Sequence, residues 1–96
     1  MKYVSKIDAL KLSHQEATSL ISGRIKQARL NSGLSQADVA QELHISQSTY
    51  SRMESAKSAP DCAQIRTLSG LYGLSVLWLL GYPSFVVHAT QNDDDA

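Results

Sequence analysis

Two helix-start signals lie close together within residues 35–53, and their spacing constrains the fold more than any other feature. Ser35 and Asp38 form a capping-box pattern, in which serine and acidic side chains accept hydrogen bonds from free backbone amides at a helix N-terminus. Ser46 repeats the serine start after a helix of barely two turns. Helices joined by so short a turn cannot lie antiparallel, and the small Ala40 lets their backbones cross closely. The segment therefore predicts two short, crossing helices.

Three further helix starts flank this segment. Ser13 and Glu16 form another capping box, and the helix that they open is predicted to end at Gly33. Asp61 and Ser75 carry the acceptor side chains typical of N-caps. The apolar positions expected to face the core are Ala17, Leu20, Ile21, Ile25, Ala28 and Leu30 in the first helix, and Val39, Ala40 and Leu43 in the second.

The fold class that follows is all-α with five helices, since no strand is needed before Pro83. Residues 84–88 are expected to form a short strand or a packing tail, and residues 91–96 to be disordered. A chain of 96 residues is expected to hold one core. The apolar stretch 71–87 is interrupted by Gly73, Gly81 and Pro83, which argues against a membrane span.

Charge and cysteine usage exclude several other classes. The net charge is 0, although three of the nine acidic residues lie at 93–95, so the rest of the chain is mildly basic. The single Cys62 excludes an internal disulfide and suits a reducing cytoplasm; it is interpreted as a filler of the core or its edge. His14, His44 and His88 lack metal-site spacing. We therefore expect no metal, no cofactor and no enzyme.

Five runs of residues form one multi-part pattern. They are Arg24-Ile25-Lys26-Gln27-Ala28-Arg29, Gly33-Leu34-Ser35-Gln36-Ala37-Asp38-Val39-Ala40, Ser46-Gln47-Ser48-Thr49-Tyr50-Ser51-Arg52-Met53-Glu54, Gly73-Leu74-Ser75 and Trp78-Leu79-Leu80-Gly81. In content and spacing these runs resemble the lambdoid phage repressor and Cro family of XRE-like transcriptional regulators. The resemblance covers roughly residues 19–82 and implies a five-helix bundle that binds DNA as a dimer. Residues 1–18 are then a partly helical extension, and 83–96 a tail expected to contribute a dimer contact before its acidic end.

The resemblance also implies roles for individual residues. The third helix would enter the major groove, and Gln47 and Arg52 have side chains suited to the edges of adenine and guanine. The alternative is that these are solvated polar residues on an exposed face. The implied base contacts are Gln47, Ser48, Ser51 and Arg52; the phosphate contacts are Gln36 and Lys57; and Arg29 and Glu54 are either an ion pair between the first and third helices or two unrelated surface charges.

Two residues depart from the family pattern. His44 and Ala56 stand where the family commonly has glycine, which reaches positive φ freely while alanine does not. The sequence therefore predicts either that the third helix extends past Ser55 or that its exit differs from the family's.

The expected function is that of a dimeric repressor of phage, prophage or bacterial type that binds a two-fold related operator in double-stranded DNA. Residues 78–87 are expected to supply much of the subunit contact. The alternative is an antitoxin or other module that binds a partner protein through its terminal extensions and uses the helix-turn-helix for autoregulation. A restriction-modification controller also fits the size.

Overall fold

The computed structural model describes residues 11–83, and these form five α-helices and no strand. The helices are α1 (His14–Asn31), α2 (Gln36–Glu42), α3 (Gln47–Glu54), α4 (Cys62–Tyr72) and α5 (Val76–Leu79). The predicted all-α fold with five helices is confirmed. The predictions for residues 84–88, for the acidic end and for His88 lie outside the described residues. The expected boundary between the N-terminal extension and the matching region, at residues 18 and 19, falls inside α1, which continues from residue 14 without a break.

Each helix begins at the predicted cap. Ser13, Ser35, Ser46, Asp61 and Ser75 all have extended backbones and accept a hydrogen bond from a free amide of the first turn. The capping boxes predicted for the first two helices are both present, with the Glu16 and Asp38 carboxylates bonded to the backbone amides of the cap residues. These signals are local, because a cap and its partner lie three residues apart in sequence.

Each helix also ends in the same way, with a residue of positive φ just after its last turn. These residues are Gly33, His44, Ala56, Gly73 and Gly81. The amide of the following residue donates to a carbonyl five positions back, for example from Lys57 to Arg52 at 2.9 Å and from Ile45 to Ala40 at 3.0 Å. This pattern is the Schellman motif, which normally has glycine at the left-handed position.

Both alternatives predicted for the end of α3 are wrong. The helix stops at Glu54, and Ala56 adopts a φ of 63°. His44 likewise adopts a φ of 58° between α2 and α3. The chain therefore keeps the backbone that glycine would take and accepts the steric cost of a side chain there, which is about 1–2 kcal/mol per residue.

A single apolar core joins all five helices. Val39, Ala40 and Leu43, the predicted apolar positions of the second helix, are all buried. Each fully buried aliphatic side chain contributes about 1.5–3 kcal/mol relative to an exposed one. The core consists of Ile25, Val39, Ala40, Leu43, Tyr50, Met53, Ile65, Leu68 and Leu79.

The prediction for the first helix is wrong at Leu30. This side chain is 53% exposed, whereas the polar Thr18 and Ser22 are buried on the face that packs against the rest of the bundle. Thr18 is accommodated because its hydroxyl donates to the His14 carbonyl one turn earlier. Ile25 and Ala28 are buried as expected.

Candidate nucleic-acid interface

The crossing of α2 and α3 fixes which face of α3 is exposed. Tyr50 and Met53 point into the core, where they are 0% and 2% exposed. The helical period of 3.6 residues then places the side chains on the far side of α3 in solvent. The turn that holds the crossing is closed by the bond from the Ile45 amide to the Ala40 carbonyl. Ala40 itself is buried, as the close approach of two helix backbones requires.

The exposed face of α3 presents the predicted base-contact residues. Gln47, Ser48 and Arg52 are exposed and Ser51 is half-buried. Ser48 and Arg52 are four residues apart and therefore lie above one another on the helix. Within residues 11–83, neither the Gln47 amide nor the Arg52 guanidinium has a hydrogen-bond or ion-pair partner. This face therefore offers an amide and a guanidinium group whose polar atoms are free to bind a ligand.

The hydroxyl groups at the start of α3 are already engaged. The Ser46 hydroxyl lies 3.2 Å from that of Ser48 and donates to the Thr49 hydroxyl at 2.8 Å. Thr49 is exposed, and the sequence reasoning did not single it out. Its position directly after Ser48 on the exposed half of the helix is the signal that could have identified it. Its methyl group is suited to an apolar contact with a thymine methyl.

Gln36 and Lys57 differ in whether their side-chain donors are already bonded within the protein. Gln36 is half-buried, and its Nε2 donates to Glu54 Oε1 at 3.1 Å, so one of its two N–H donors is committed inside the protein. Lys57 is exposed, and its backbone amide is held by the Arg52 carbonyl at the end of α3. Its side chain has no partner within the described range 11–83. Lys57 is therefore the more adaptable of the two predicted phosphate contacts.

Arg29 and Glu54 lie in direct contact between α1 and α3. Arg29 Nε donates to Glu54 Oε2 at 2.6 Å and Nη2 donates to Oε1 at 3.1 Å, which is the bidentate geometry of strong arginine–carboxylate pairs. The side chains are only 11% and 3% exposed. Arg29 Nη1 also donates to the Leu34 carbonyl in the loop before α2. The two charges are therefore a buried pair that joins α1 to α3.

The electrostatics of this pair favour the ionised carboxylate. Burial raises the pKa of the Glu54 carboxyl, but hydrogen bonds from Arg29 and Gln36 and the charge of Arg29 outweigh burial, so the net pKa lies below 4.5. Burial also raises the pKa of the neighbouring Tyr50. The polar side chains beneath α3 therefore form a buried cluster around one negative charge.

The remaining candidate residues lie apart from this face. Cys62 is exposed at the start of α4, so its interpretation as a filler of the core or its edge is wrong. Trp78 is half-buried against the core, with the Arg24 guanidinium 4.8 Å above its ring. No three His, Cys, Asp or Glu side chains gather into a metal-binding group within residues 11–83. None of the helices described there combines the length and apolar character that crossing a membrane requires.

Comparison with known proteins gives one informative result for this arrangement. A family model described as helix-turn-helix matches residues 25–79, more than half of the chain. The match runs from the middle of α1 to the end of α5 and includes the α2–α3 crossing and its exposed face. No match to the chain is found among curated proteins or among solved structures.

Proposed function

The chain belongs to this helix-turn-helix family of DNA-binding transcription regulators, and from that premise we propose that it is a dimeric repressor of phage, prophage or bacterial type. It acts in the cytoplasm on a two-fold related operator in double-stranded DNA. α3 lies in the major groove, and its exposed face contacts base edges. The second subunit places a second α3 on the adjacent half of the operator.

The observation that carries the proposal is the exposed face of α3, on which Gln47 and Arg52 have no side-chain partner among residues 11–83. Polarity alone does not identify a surface side chain as a binding residue. An amide and a guanidinium fork that point outward, however, fit the donor and acceptor pattern of the major groove. Gln47 can bond both N6 and N7 of adenine, and Arg52 can bond O6 and N7 of guanine. Ser48 and Ser51 add contacts beside them.

Phosphate contacts then orient the domain on the duplex. Gln36 retains one N–H donor after its bond to Glu54, and Lys57, just after the end of α3, carries a cation with no partner within residues 11–83. Contacts of this kind set register and affinity without selecting sequence. We assign both residues to the phosphate backbone.

A dimer is supported by apolar side chains that remain exposed on the last two helices. Leu71, Val76 and Leu80 are 36%, 39% and 37% exposed. Val76 and Leu80 are four residues apart and share one face of the α5 segment. We assign the subunit contact to this face and to residues 84–87, which lie outside the described residues. One short recognition helix contacts too few base pairs to select a single genomic site, whereas two joined domains add their contacts.

Selection of bound sequences from a random DNA pool tests the proposal, followed by titration of variants against the selected site. We expect Arg52→Ala and Gln47→Ala to lose about 1–3 kcal/mol of binding free energy and to relax preference at particular base pairs. Gln36→Ala should weaken binding to all sequences alike. Arg66→Ala, which removes an exposed arginine from α4, is the matched control and should change neither.

The base-contact assignment is wrong if Arg52→Ala keeps both the affinity and the base preference of the wild type. Enrichment of single half-sites in place of two-fold related sequences would instead contradict the dimer. The two outcomes are separate, because the first concerns one side chain and the second concerns how many domains bind together.

The alternative of a partner protein bound by the terminal extensions is tested by a pull-down with and without those segments. Removal of residues 1–18 would cut away the first turn of α1, including Thr18, which is buried. The sharper comparison therefore removes residues 1–10 and 84–96. A partner recovered by the full chain and lost from the shortened one would favour the protein-binding module.

A further inference from the structure

A mainly apolar groove lies between the first half of α1 and the segment after α5. Its volume is about 480 Å³; its apolar border includes Leu12, Ala17, Leu20, Leu80 and Pro83, and Arg24 is the charged residue that lines it. The groove is separate from the exposed face of α3. It does not enter into the proposed contact with DNA.

The groove is closed at its floor and open above. The floor is tight, because a Cβ added at Gly81 would lie 2.7 Å from the Leu20 side chain. Its apolar border remains in solvent at Leu12, which is 45% exposed. Apolar surface that faces water across a concave floor is typical of a site that another apolar segment covers.

Both ends of the described chain lie at this groove. Residues 1–10 arrive through Leu12, which forms one edge, and residues 84–96 leave through Pro83, which forms the other. Two segments of the same chain are therefore near enough to cover it. Their sequence patterns differ, and this difference decides between them.

Residues 1–10 have the pattern that the groove requires. Tyr3, Ile7 and Leu10 recur at helical spacing, and Ser5 falls on the opposite face. A ten-residue helix is about 15 Å long, and the seven-residue step from Ala17 to Arg24 along α1 spans about 10 Å. Only Lys11 and Leu12 separate this segment from the cap of α1. So short a link keeps this segment near the groove that Leu12 borders.

The other segment fits less well. Phe85, Val86 and Val87 are contiguous, so successive side chains cannot all face one side. We propose that residues 1–10 form a short amphipathic helix that packs antiparallel to α1 in the groove, with Ile7 and Leu10 facing Ala17 and Leu20. This inference does not depend on the proposed DNA contacts.

Thiol accessibility within the full chain tests this docking. Cys62 is exposed and is first replaced by Cys62→Ser, and Ala17→Cys then places one thiol in the groove with little change in volume. If the N-terminal segment covers the groove, a maleimide should react with this thiol only after local opening. We expect Ile7→Asp to accelerate the reaction by about tenfold or more. Ser5→Asp adds the same charge on the opposite face and should leave the rate unchanged.

Two further comparisons identify the occupant. Phe85→Asp should have no effect, and the protection should not depend on protein concentration. The proposal is overturned if Ile7→Asp leaves the rate unchanged, if Phe85→Asp exposes the thiol, or if dilution exposes it, which would indicate a second copy. Ile7→Ala, read by the same rate, provides a milder variant in case Ile7→Asp lowers the stability of the whole chain.

Discussion

One carboxylate joins three helices beneath the exposed face of α3. Glu54 lies at the end of α3 and accepts hydrogen bonds from Arg29 of α1 and from Gln36 of α2. Its side chain is 3% exposed, so these bonds replace nearly all of its contact with water. One buried side chain therefore helps to hold α3 against both neighbouring helices.

Removal of the Glu54 charge should strongly destabilise the fold. Glu54→Gln keeps the shape of the side chain but leaves the buried guanidinium of Arg29 without a counter-charge, which typically costs about 3–5 kcal/mol. Denaturant unfolding of the two proteins measures the difference. Glu42→Gln, at an exposed glutamate of α2, is the control and should unfold like the wild type. A Glu54→Gln variant as stable as the wild type would reduce the pair to a minor contact.

The difference between wild type and Glu54→Gln should depend on pH. Burial raises the pKa of Glu54, but hydrogen bonds from Arg29 and Gln36 lower it by more. The pKa in the folded state therefore lies below the ordinary value of 4.5. The stabilisation is therefore fully present above that value and is lost as the pH falls through the folded pKa. Unfolding measured from neutral pH down to the acid range should show the two proteins converging. A constant gap across that range would mean that the carboxylate charge is not the cause.

The elements of this fold all use one termination geometry, although two of them lack the residue that suits it. Gly33, Gly73 and Gly81 follow α1, α4 and α5 with positive φ, and His44 and Ala56 do so after α2 and α3. The two non-glycine positions flank the recognition helix. Strain is therefore concentrated at the element that is proposed to enter the DNA groove.

Replacement of Ala56 by glycine should stabilise the protein. Relief of the left-handed strain gains about 1–2 kcal/mol, while glycine increases the entropy of the unfolded chain at a cost of about 0.4–1 kcal/mol, so a net gain of about 0.5–1 kcal/mol is expected. Denaturant midpoints measure this change. The reverse substitution Gly73→Ala, at a φ of 65° with open space around it, should destabilise. Equal midpoints for Ala56→Gly and wild type would show that the turn bears no strain.

At the scale of the whole molecule, the arrangement of two subunits determines the length of DNA that is bound. If α5 and the residues after it form the contact, the two recognition helices should lie about 34 Å apart and protect half-sites centred about 10 base pairs from each other. Footprinting measures this spacing. Protection of one isolated half-site would contradict it.

Truncation tests which segment holds the subunits together. The cut belongs after Pro83, because the Tyr82 amide closes α5 and its carbonyl accepts a bond from Arg24. Loss of residues 84–96 should convert the dimer to monomer in sedimentation experiments without loss of the fold. An intact dimer after this cut would place the contact on the described apolar face or at residues 1–18.

Helix starts could be predicted from sequence residue by residue, because a cap and the amide that it satisfies are neighbours in the chain. The exposed polar face of α3 also follows from the helical period of 3.6 residues, because Tyr50 and Met53 mark the opposite, apolar face. The exposure of Leu30 and of Cys62 could not be predicted in this way. Each depends on whether another helix happens to cover it, and that is a property of the packed bundle.

The sequence by itself therefore determined the five capped helices, the close crossing of α2 and α3, and which residue types face outward. Only the tertiary structure decided that Glu54 binds both Arg29 and Gln36 and that Leu20 closes a groove against Gly81. The first group depends on interactions over one or two helical turns. The second depends on contacts between residues far apart in the chain, whose distances are set only when the core packs.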